Sequence, residues 1–137
     1  MSALLLDTCA LLWLAADEPI AEPAVAAIDA AYRADETVWV SPISAWEIGL
    51  LTARGRIALS TSPQAWFRRA VTRAGVALCA LDPETLIDSS FLPGAPLRDP
   101  ADRIVIATAR ALGLQLVTRD QTILAYGAAG HVAAIAC

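Results

Sequence analysis

Five short apolar runs alternate with stretches of helical pattern along the chain, and this alternation limits the possible folds more than any other feature. Each run is almost continuously apolar, which is typical of strands that are buried on both faces. Strands that alternate with helices in this way form a parallel sheet with helices on both sides, so the sequence predicts an α/β fold. The predicted strands cover residues 3–6, 37–40, 76–81, 114–118 and 131–135.

Four residue pairs mark where helices begin. Serine and aspartate accept hydrogen bonds from the free amides of a first helical turn, and proline fits the first helical position. The four Ser-Pro or Asp-Pro pairs start at Ser41, Ser62, Asp82 and Asp99. Further helices are predicted over residues 8–16, 23–34 and 120–126, with a proline-rich loop over residues 92–98. No repeat or linker interrupts this order, so we expect one domain over residues 1–137.

The composition excludes several classes of protein. With 57% hydrophobic residues among 137, the chain can bury a core of its own. No apolar run reaches the roughly 18 residues of a membrane span. The first residues lack the basic region of a signal peptide, and Asp7 interrupts their apolar run. The three cysteines form no CxxC pair, so we expect buried free thiols and a cytoplasmic protein that does not bind membranes.

All ten basic residues are arginine. The chain therefore has no lysine for a Walker A phosphate loop, a Schiff base or lysine-assisted aspartyl-phosphate chemistry. His131 is the one histidine, so most histidine-based catalysis is unsupported. The reactive groups that remain are mostly carboxylates, hydroxyls and guanidinium groups.

The charge is unevenly distributed along the chain. Five arginines and no acid lie between Glu47 and Asp82, whereas the rest of the chain carries five arginines against fourteen acids. An acidic body with one basic segment suits a polyanion that is held near a cation-filled acidic pocket. The alternative is that these arginines only solvate two helix faces. They are Arg54, Arg56, Arg68, Arg69 and Arg73.

Two acids follow predicted strands directly. Asp7 comes after the first strand and Asp120 after the fourth. Ligands of open α/β sheets bind beyond the carboxyl ends of the strands, so both positions suit a site. Each aspartate could instead serve only as the N-cap of the helix that follows.

Two further acids fall on predicted helices at apolar positions. The apolar residues of one of these helices recur at helical spacing and are Ile43, Trp46, Leu50 and Leu51. Glu47 lies four residues after Ile43 and four before Leu51, which places it in this apolar stripe. The alternatives are an arginine pair or a position at the edge of the stripe.

Asp102 has helical spacing with Val105, Ile106 and Ala109, a set that we expect to face inward. The alternative is that Asp102 is only the third residue of a capping box. Asp99 is interpreted mainly as that helix's cap and only as a possible outer ligand.

Carboxylates that meet at one spot repel each other unless a cation lies between them. Oxygen ligands without histidine or cysteine favour Mg²⁺ or Mn²⁺, and a Mg²⁺ site suggests metal-assisted hydrolysis of a phosphodiester. Thr8 and Thr118 are candidate hydroxyls for orienting the water.

The chain resembles the PIN-domain ribonucleases, and among them the VapC-type toxins of type II toxin–antitoxin pairs. The matching segments are LLLDTCALLWL from Leu4, SPISAWEIGLLTARGRI from Ser41, RDPADRIVIATA from Arg98 and LVTRD from Leu116, in the family's order. The resemblance assigns metal binding and catalysis to Asp7, Glu47, Asp102 and Asp120, with Thr118 beside the last acid. Relatives usually have lysine near Leu51 and Arg56, so the basic contacts there need not match.

The resemblance implies a PIN-like three-layer sandwich with a mainly parallel five-stranded sheet. It also implies a Mg²⁺-dependent endoribonuclease that forms a homodimer and is inhibited by a VapB-type antitoxin. The C-terminal part of the antitoxin would wrap apolar grooves and put a basic side chain near the acids. With this function, the basic segment would hold the RNA backbone. One or two ions would activate the water that attacks phosphorus. Exposed tryptophans such as Trp13, Trp46 or Trp66 could line the antitoxin groove, although tryptophan at helical spacing is more often core.

Two other functions remain open from the residues alone. A phosphatase with Asp7 as nucleophile usually has a second aspartate two residues later and a lysine, but Cys9 stands there and lysine is missing. A non-catalytic module on the same fold would use the acids structurally, and it should bind no Mg²⁺ or Mn²⁺.

Overall fold

The computed structural model describes residues 3–16, 18–94 and 97–137. Its five strands are β1 (Leu4–Leu6), β2 (Val38–Val40), β3 (Val76–Leu78), β4 (Gln115–Thr118) and β5 (Ala134–Ala136). Its helices are α1 (Thr8–Ala15), α2 (Glu22–Arg33), α3 (Ile43–Ala53), α4 (Pro63–Thr72), α5 (Pro83–Asp88), α6 (Pro100–Leu112) and α7 (Gln121–Ala128). The predicted loop over residues 92–98 falls partly outside the described ranges.

All strands are parallel, in the order β3-β2-β1-β4-β5. The predicted α/β fold with helices on both faces of a parallel sheet is therefore confirmed. Because β1 lies between β2 and β4, the residues that follow β1 and β4 leave the sheet side by side at its carboxyl edge. Asp7 donates its backbone amide to the carbonyl of Val117, which extends the pairing into the site.

Alternate residues of β1 face two separate apolar layers. Leu4 and Leu6 pack with α1 and α2, whereas Leu5 packs on the opposite side with α6 and α7. This two-sided burial explains why the strands are apolar without alternation. The sheet is therefore covered by helices on both faces.

Most capping predictions are confirmed. The side chains of Ser62, Asp82 and Asp99 accept the amides of Ala65, Thr85 and Asp102 at 3.2, 3.0 and 3.0 Å. The pair at Ser41 differs, because α3 begins one residue later, at Ile43, and the Ser41 hydroxyl accepts the Ile43 amide at 3.2 Å. At the other end of α6, Gly113 adopts φ 66°, a left-handed conformation that glycine tolerates best.

Three predictions need correction. Strand β3 ends at Leu78 and not at residue 81, because its partner β2 ends at Val40, opposite Leu78. Strand β5 begins at Ala134 and not at residue 131, because its pairing with β4 begins opposite Leu116. Cys9 is exposed and not buried, although Cys79 and Cys137 are buried as expected.

Candidate active site at the carboxyl edge of the sheet

Three carboxylates meet beyond the carboxyl edge of the sheet. Glu47 on α3, Asp102 on α6 and Asp99 before α6 each place an oxygen within 4.8 Å of the other two. Packing of α3 against α6 brings them together. Glu47 and Asp102 are half-buried, whereas Asp99 is exposed. Among the described residues this cluster contains two of the four acids predicted from the sequence, together with the residue that was expected mainly to cap.

Asp7 lies beside this cluster and is buried, with 7% of its surface exposed. One carboxylate oxygen accepts the amide of Ala10 at 2.7 Å and so caps α1. The other oxygen accepts a hydrogen bond from the hydroxyl of Thr118, the last residue of β4. The Thr118 hydroxyl also accepts the amide of Asp120 at 3.1 Å. Thr118 therefore links the two acids that follow β1 and β4.

Asp120 caps α7 through one carboxylate oxygen. This Oδ1 accepts the amides of Thr122 and Ile123 at 2.8 and 3.2 Å. Its charge nevertheless acts on its neighbours, because it raises the pKa values of Asp7 and Asp102. Capping and ligand binding are thus compatible for Asp120, since a carboxylate has two oxygens.

Hydroxyl groups hold Glu47 in place. The Thr8 hydroxyl donates to Glu47 Oε1 at 2.6 Å and lies 2.9 Å from the hydroxyl of Ser44. A hydroxyl has one hydrogen to donate, so Ser44 is the donor to Thr8. Sequence reasoning missed the fully buried Ser44. Its position three residues before Glu47, on the same helix face, was the available signal.

The predicted apolar stripe on α3 is partly wrong. The buried residues of α3 are Ser44 and Ile48, whereas the side chain of Trp46 is 56% exposed. Glu47 lies at the edge of the buried face, which is the alternative that the sequence left open. The predicted inward-facing set of α6 is confirmed, because Val105, Ile106 and Ala109 are all buried. Asp102, at the start of this set, is half-buried.

The electrostatics of the site disfavour negative charge. Burial, followed by the charges of Asp99, Asp120, Glu47 and Asp7, raises the pKa of Asp102 to about 7. Burial also raises the pKa of Glu47 and of Asp7, although the hydrogen bonds from Thr8 and Thr118 act in the opposite direction. Carboxyl groups with such raised pKa values lie at functional sites more often than elsewhere.

These carboxyl groups suit a divalent cation. Three oxygens from different side chains approach one another, and all the nearby acidic side chains offer oxygen. Hard cations such as Mg²⁺ and Mn²⁺ prefer oxygen donors, and their positive charge would remove the repulsion that raises the pKa of Asp102.

Arg119 holds the backbone around the site. Its guanidinium lies over the ring of Trp13 and donates to the carbonyls of Cys137 and Pro19 at 2.8 and 3.1 Å. Because Arg119 stands between Thr118 and Asp120 in the chain, these bonds tie the end of β4 to three other segments. Sequence reasoning assigned no role to this residue.

The arginines of the basic segment are all exposed. Two of them, Arg54 and Arg56, line a groove of 210 Å³ together with Glu47 and Asp99. The other three, Arg68, Arg69 and Arg73, lie on α4 or directly after it, and α4 packs against α3. The structure thus places two guanidinium groups next to the acidic cluster.

A protein-family model described as "PIN domain" matches residues 4–128. The chain belongs to the PIN domain family. Ribonuclease VapC22 from Mycobacterium tuberculosis (strain ATCC 25618 / H37Rv) is 31% identical over 123 residues, which cover 90% of this chain and 91% of that protein. The family that the sequence motifs suggested is therefore confirmed.

Solved structures share the fold of this PIN domain. One is VapBC2 from Rickettsia felis bound to a DNA fragment from their promoter, with a TM-score of 0.69, 11% identity and 98% coverage of both chains. Another is FitAcB from Neisseria gonorrhoeae, with a TM-score of 0.57, 20% identity and 96% coverage of both chains.

Across the described part of the chain, no helix is both long and apolar enough to cross a membrane.

The raised pKa values predict how stability depends on pH. Between the ordinary aspartate pKa of 3.8 and about 7, the folded cation-free protein binds more protons at Asp102 than the unfolded chain does. The stability that Asp102 contributes through this difference is therefore fully present below the range, and it is lost as the pH rises through about 7. The melting temperature of the cation-free protein should fall over this range, and Asp102→Asn should reduce the fall.

Added Mn²⁺ or Mg²⁺ should raise the melting temperature more above pH 7 than at pH 5, because the cation binds the ionised carboxylates. Asp29→Asn, a change at an exposed position on α2, is the control and should behave like the wild type. A melting temperature that rises steadily with pH without cations would contradict this electrostatic description.

Proposed function

We propose that this PIN domain is a Mg²⁺-dependent endoribonuclease that acts as the toxin of a toxin–antitoxin pair. The observation that carries the proposal is the set of carboxyl groups beyond the carboxyl ends of β1 and β4, whose mutual repulsion a divalent cation would relieve. The similarity to ribonuclease VapC22 supports RNA as the substrate.

Asp7, Glu47, Asp102 and Asp120 would hold one or two Mg²⁺ ions, and Mn²⁺ could replace Mg²⁺. When bound, the cation lowers the pKa of a water molecule and stabilises negative charge on the phosphate. Asp99 shares the cluster with Glu47 and Asp102, so it is a candidate for an additional, outer ligand.

The remaining residues of the site orient the carboxylates. Thr118 fixes one oxygen of Asp7, and Thr8 fixes one oxygen of Glu47. Ser44 in turn restrains the Thr8 hydroxyl from within the core. Such partners matter because a ligand that is already oriented binds its cation without first being ordered.

Replacement of Asp7 tests the reaction. Asp7→Asn keeps the shape and the helix cap but removes the charge, so RNA cleavage should fall by at least about 100-fold while the fold persists. The measurement is cleavage of a single-stranded RNA with Mg²⁺ or Mn²⁺, together with calorimetric titration of the metal. Undiminished cleavage by a clean preparation of the variant would refute the assignment.

Asp99→Asn is the informative companion variant, because asparagine caps helices as well as aspartate does. A loss of cleavage in that variant would make Asp99 a ligand, whereas wild-type cleavage would leave it as a cap. If the wild-type protein binds no Mg²⁺ or Mn²⁺ and cleaves no RNA, the chain is a non-catalytic module on this fold.

The basic segment would bind the RNA backbone. Replacing Arg54 and Arg56 by glutamine should weaken RNA binding and lower the salt dependence of the affinity by roughly 0.7 log units per log of salt for each phosphate that the variant no longer binds. Arg33→Gln, at an exposed position at the end of α2, should change neither quantity. An affinity of the wild-type protein that is independent of salt would contradict the role of these arginines.

We assign a VapB-type antitoxin to an apolar groove between α1 and α2. The groove has a volume of 250 Å³ and carries two acids, so it suits an apolar segment with basic side chains. The groove is lined by Leu14, Glu18, Ile20, Val25, Ile28, Asp29 and Tyr32.

The resemblance to VapC-type toxins also implies a homodimer, which light scattering on the free chain would test.

A pair of neighbouring substitutions tests the antitoxin groove. Val25→Glu places a charge in the groove, so it should weaken the binding of a co-expressed antitoxin while RNA cleavage persists. Ala26→Glu adds the same charge at the next, exposed position and should leave the complex intact. Equal antitoxin binding by the two variants would remove the groove from the interface.

A further inference from the structure

Trp46 differs from the other tryptophans of the chain. Its side chain is 56% exposed, whereas the ring of Trp13 is covered by Arg119, and Trp39 and Trp66 pack against the apolar layers. A flat ligand that covered this ring would remove apolar surface from water, which is favourable. Trp46 lines the same groove as Glu47 and Asp99, so this exposed ring lies next to the acidic cluster.

The groove of 210 Å³ beside the cluster combines three kinds of surface. Trp46 and apolar neighbours form one part, Glu47 and Asp99 contribute acidic oxygens, and Arg54 and Arg56 contribute cations. Arg54 lies eight residues after Trp46, which is about 12 Å along the helix axis. The apolar neighbours are Leu50, Leu51, Pro100 and Ala101.

This combination fits single-stranded RNA better than a protein segment. A nucleotide offers a flat base for an aromatic ring and a phosphate for arginines or a metal ion, and proteins that bind single strands use such surfaces together. The two guanidinium groups of Arg54 and Arg56 in the same groove match the charge of a phosphate backbone.

We infer that Trp46 stacks on a base of the RNA substrate next to the cleaved phosphate, while Arg54 and Arg56 hold the backbone on the other side of that base. The inference rests on the proposed ribonuclease function and adds a residue that determines which part of the strand enters the site. Trp46 would bind the base, whereas the acids would act on the phosphate.

The experiment measures binding of a labelled single-stranded RNA by the Asp7→Asn protein, in which cleavage is suppressed. Adding Trp46→Ala should weaken binding about tenfold, whereas Trp46→Phe should keep most of the affinity because phenylalanine still stacks. Phe91→Ala is the matched control, since Phe91 is 79% exposed but lies beside the later turns of α6, and this change should have no effect.

A series of RNAs with one abasic position each then tests stacking itself. At one position the missing base should weaken binding to the protein that retains Trp46 by about the same factor, and it should have no effect on the Trp46→Ala form. A purely structural role for Trp46 would not produce this dependence on one base.

Two results would overturn the inference. One is equal RNA affinity with and without Trp46, and the other is a weakening that no abasic position reproduces. If Trp46→Ala weakens antitoxin binding but not RNA binding, the groove receives a protein segment and the inference is wrong. Failure of the proposed function has a separate signature, because the wild-type protein would then not cleave RNA with Mg²⁺ or Mn²⁺.

Discussion

The parallel pairing of β1 with β4 is the constraint on which the candidate site depends. It places Asp7 and Thr118 side by side, and their hydrogen bond links the first strand of the chain to a strand more than a hundred residues later. Packing of α3 against α6 then adds Glu47 and Asp102 to the same edge. The strand pairing and the helix packing together bring acids from distant parts of the chain to one edge of the sheet.

The fold holds these acids together against their repulsion. Burial and neighbouring charges raise the pKa values of three of them, so the protonated form of each is more favourable here than in water. The arrangement is understandable when a cation is part of the functional state, because the cation converts repulsion into coordination.

The sequence predicted the fold well because its signals are local. Apolar runs indicated the strands, and Asp82 and Asp99 cap their helices as expected. Strand ends were less predictable, since β3 ends where its partner ends and not where its apolar run ends. The exposed Cys9 was missed for a similar reason, because α1 turns that residue outward and composition alone carries no information about facing.

The site was only partly predictable for a different reason. The inward direction of Asp102 could be inferred from helical spacing, whereas Glu47 lies only at the edge of the buried face of α3. The meeting of Glu47 with Asp99 and Asp102 depends on the packing of two helices, which no local pattern encodes. Ser44 was missed because its spacing from Glu47 does not by itself indicate that it is buried or that it contacts Thr8, which is 36 residues away. Contacts of this kind become visible only in three dimensions.

The bonds of Arg119 have one more consequence. Its side chain contacts Trp13 and donates hydrogen bonds to the carbonyls of Pro19 and Cys137. The end of β4 and the residues that follow it, among them Asp120, are therefore held in place before any substrate binds. The entropy lost in shaping this loop is therefore lost during folding, and the encounter with a nucleic acid does not have to supply it. A flexible RNA strand would therefore have to adapt its own conformation to this preorganised site.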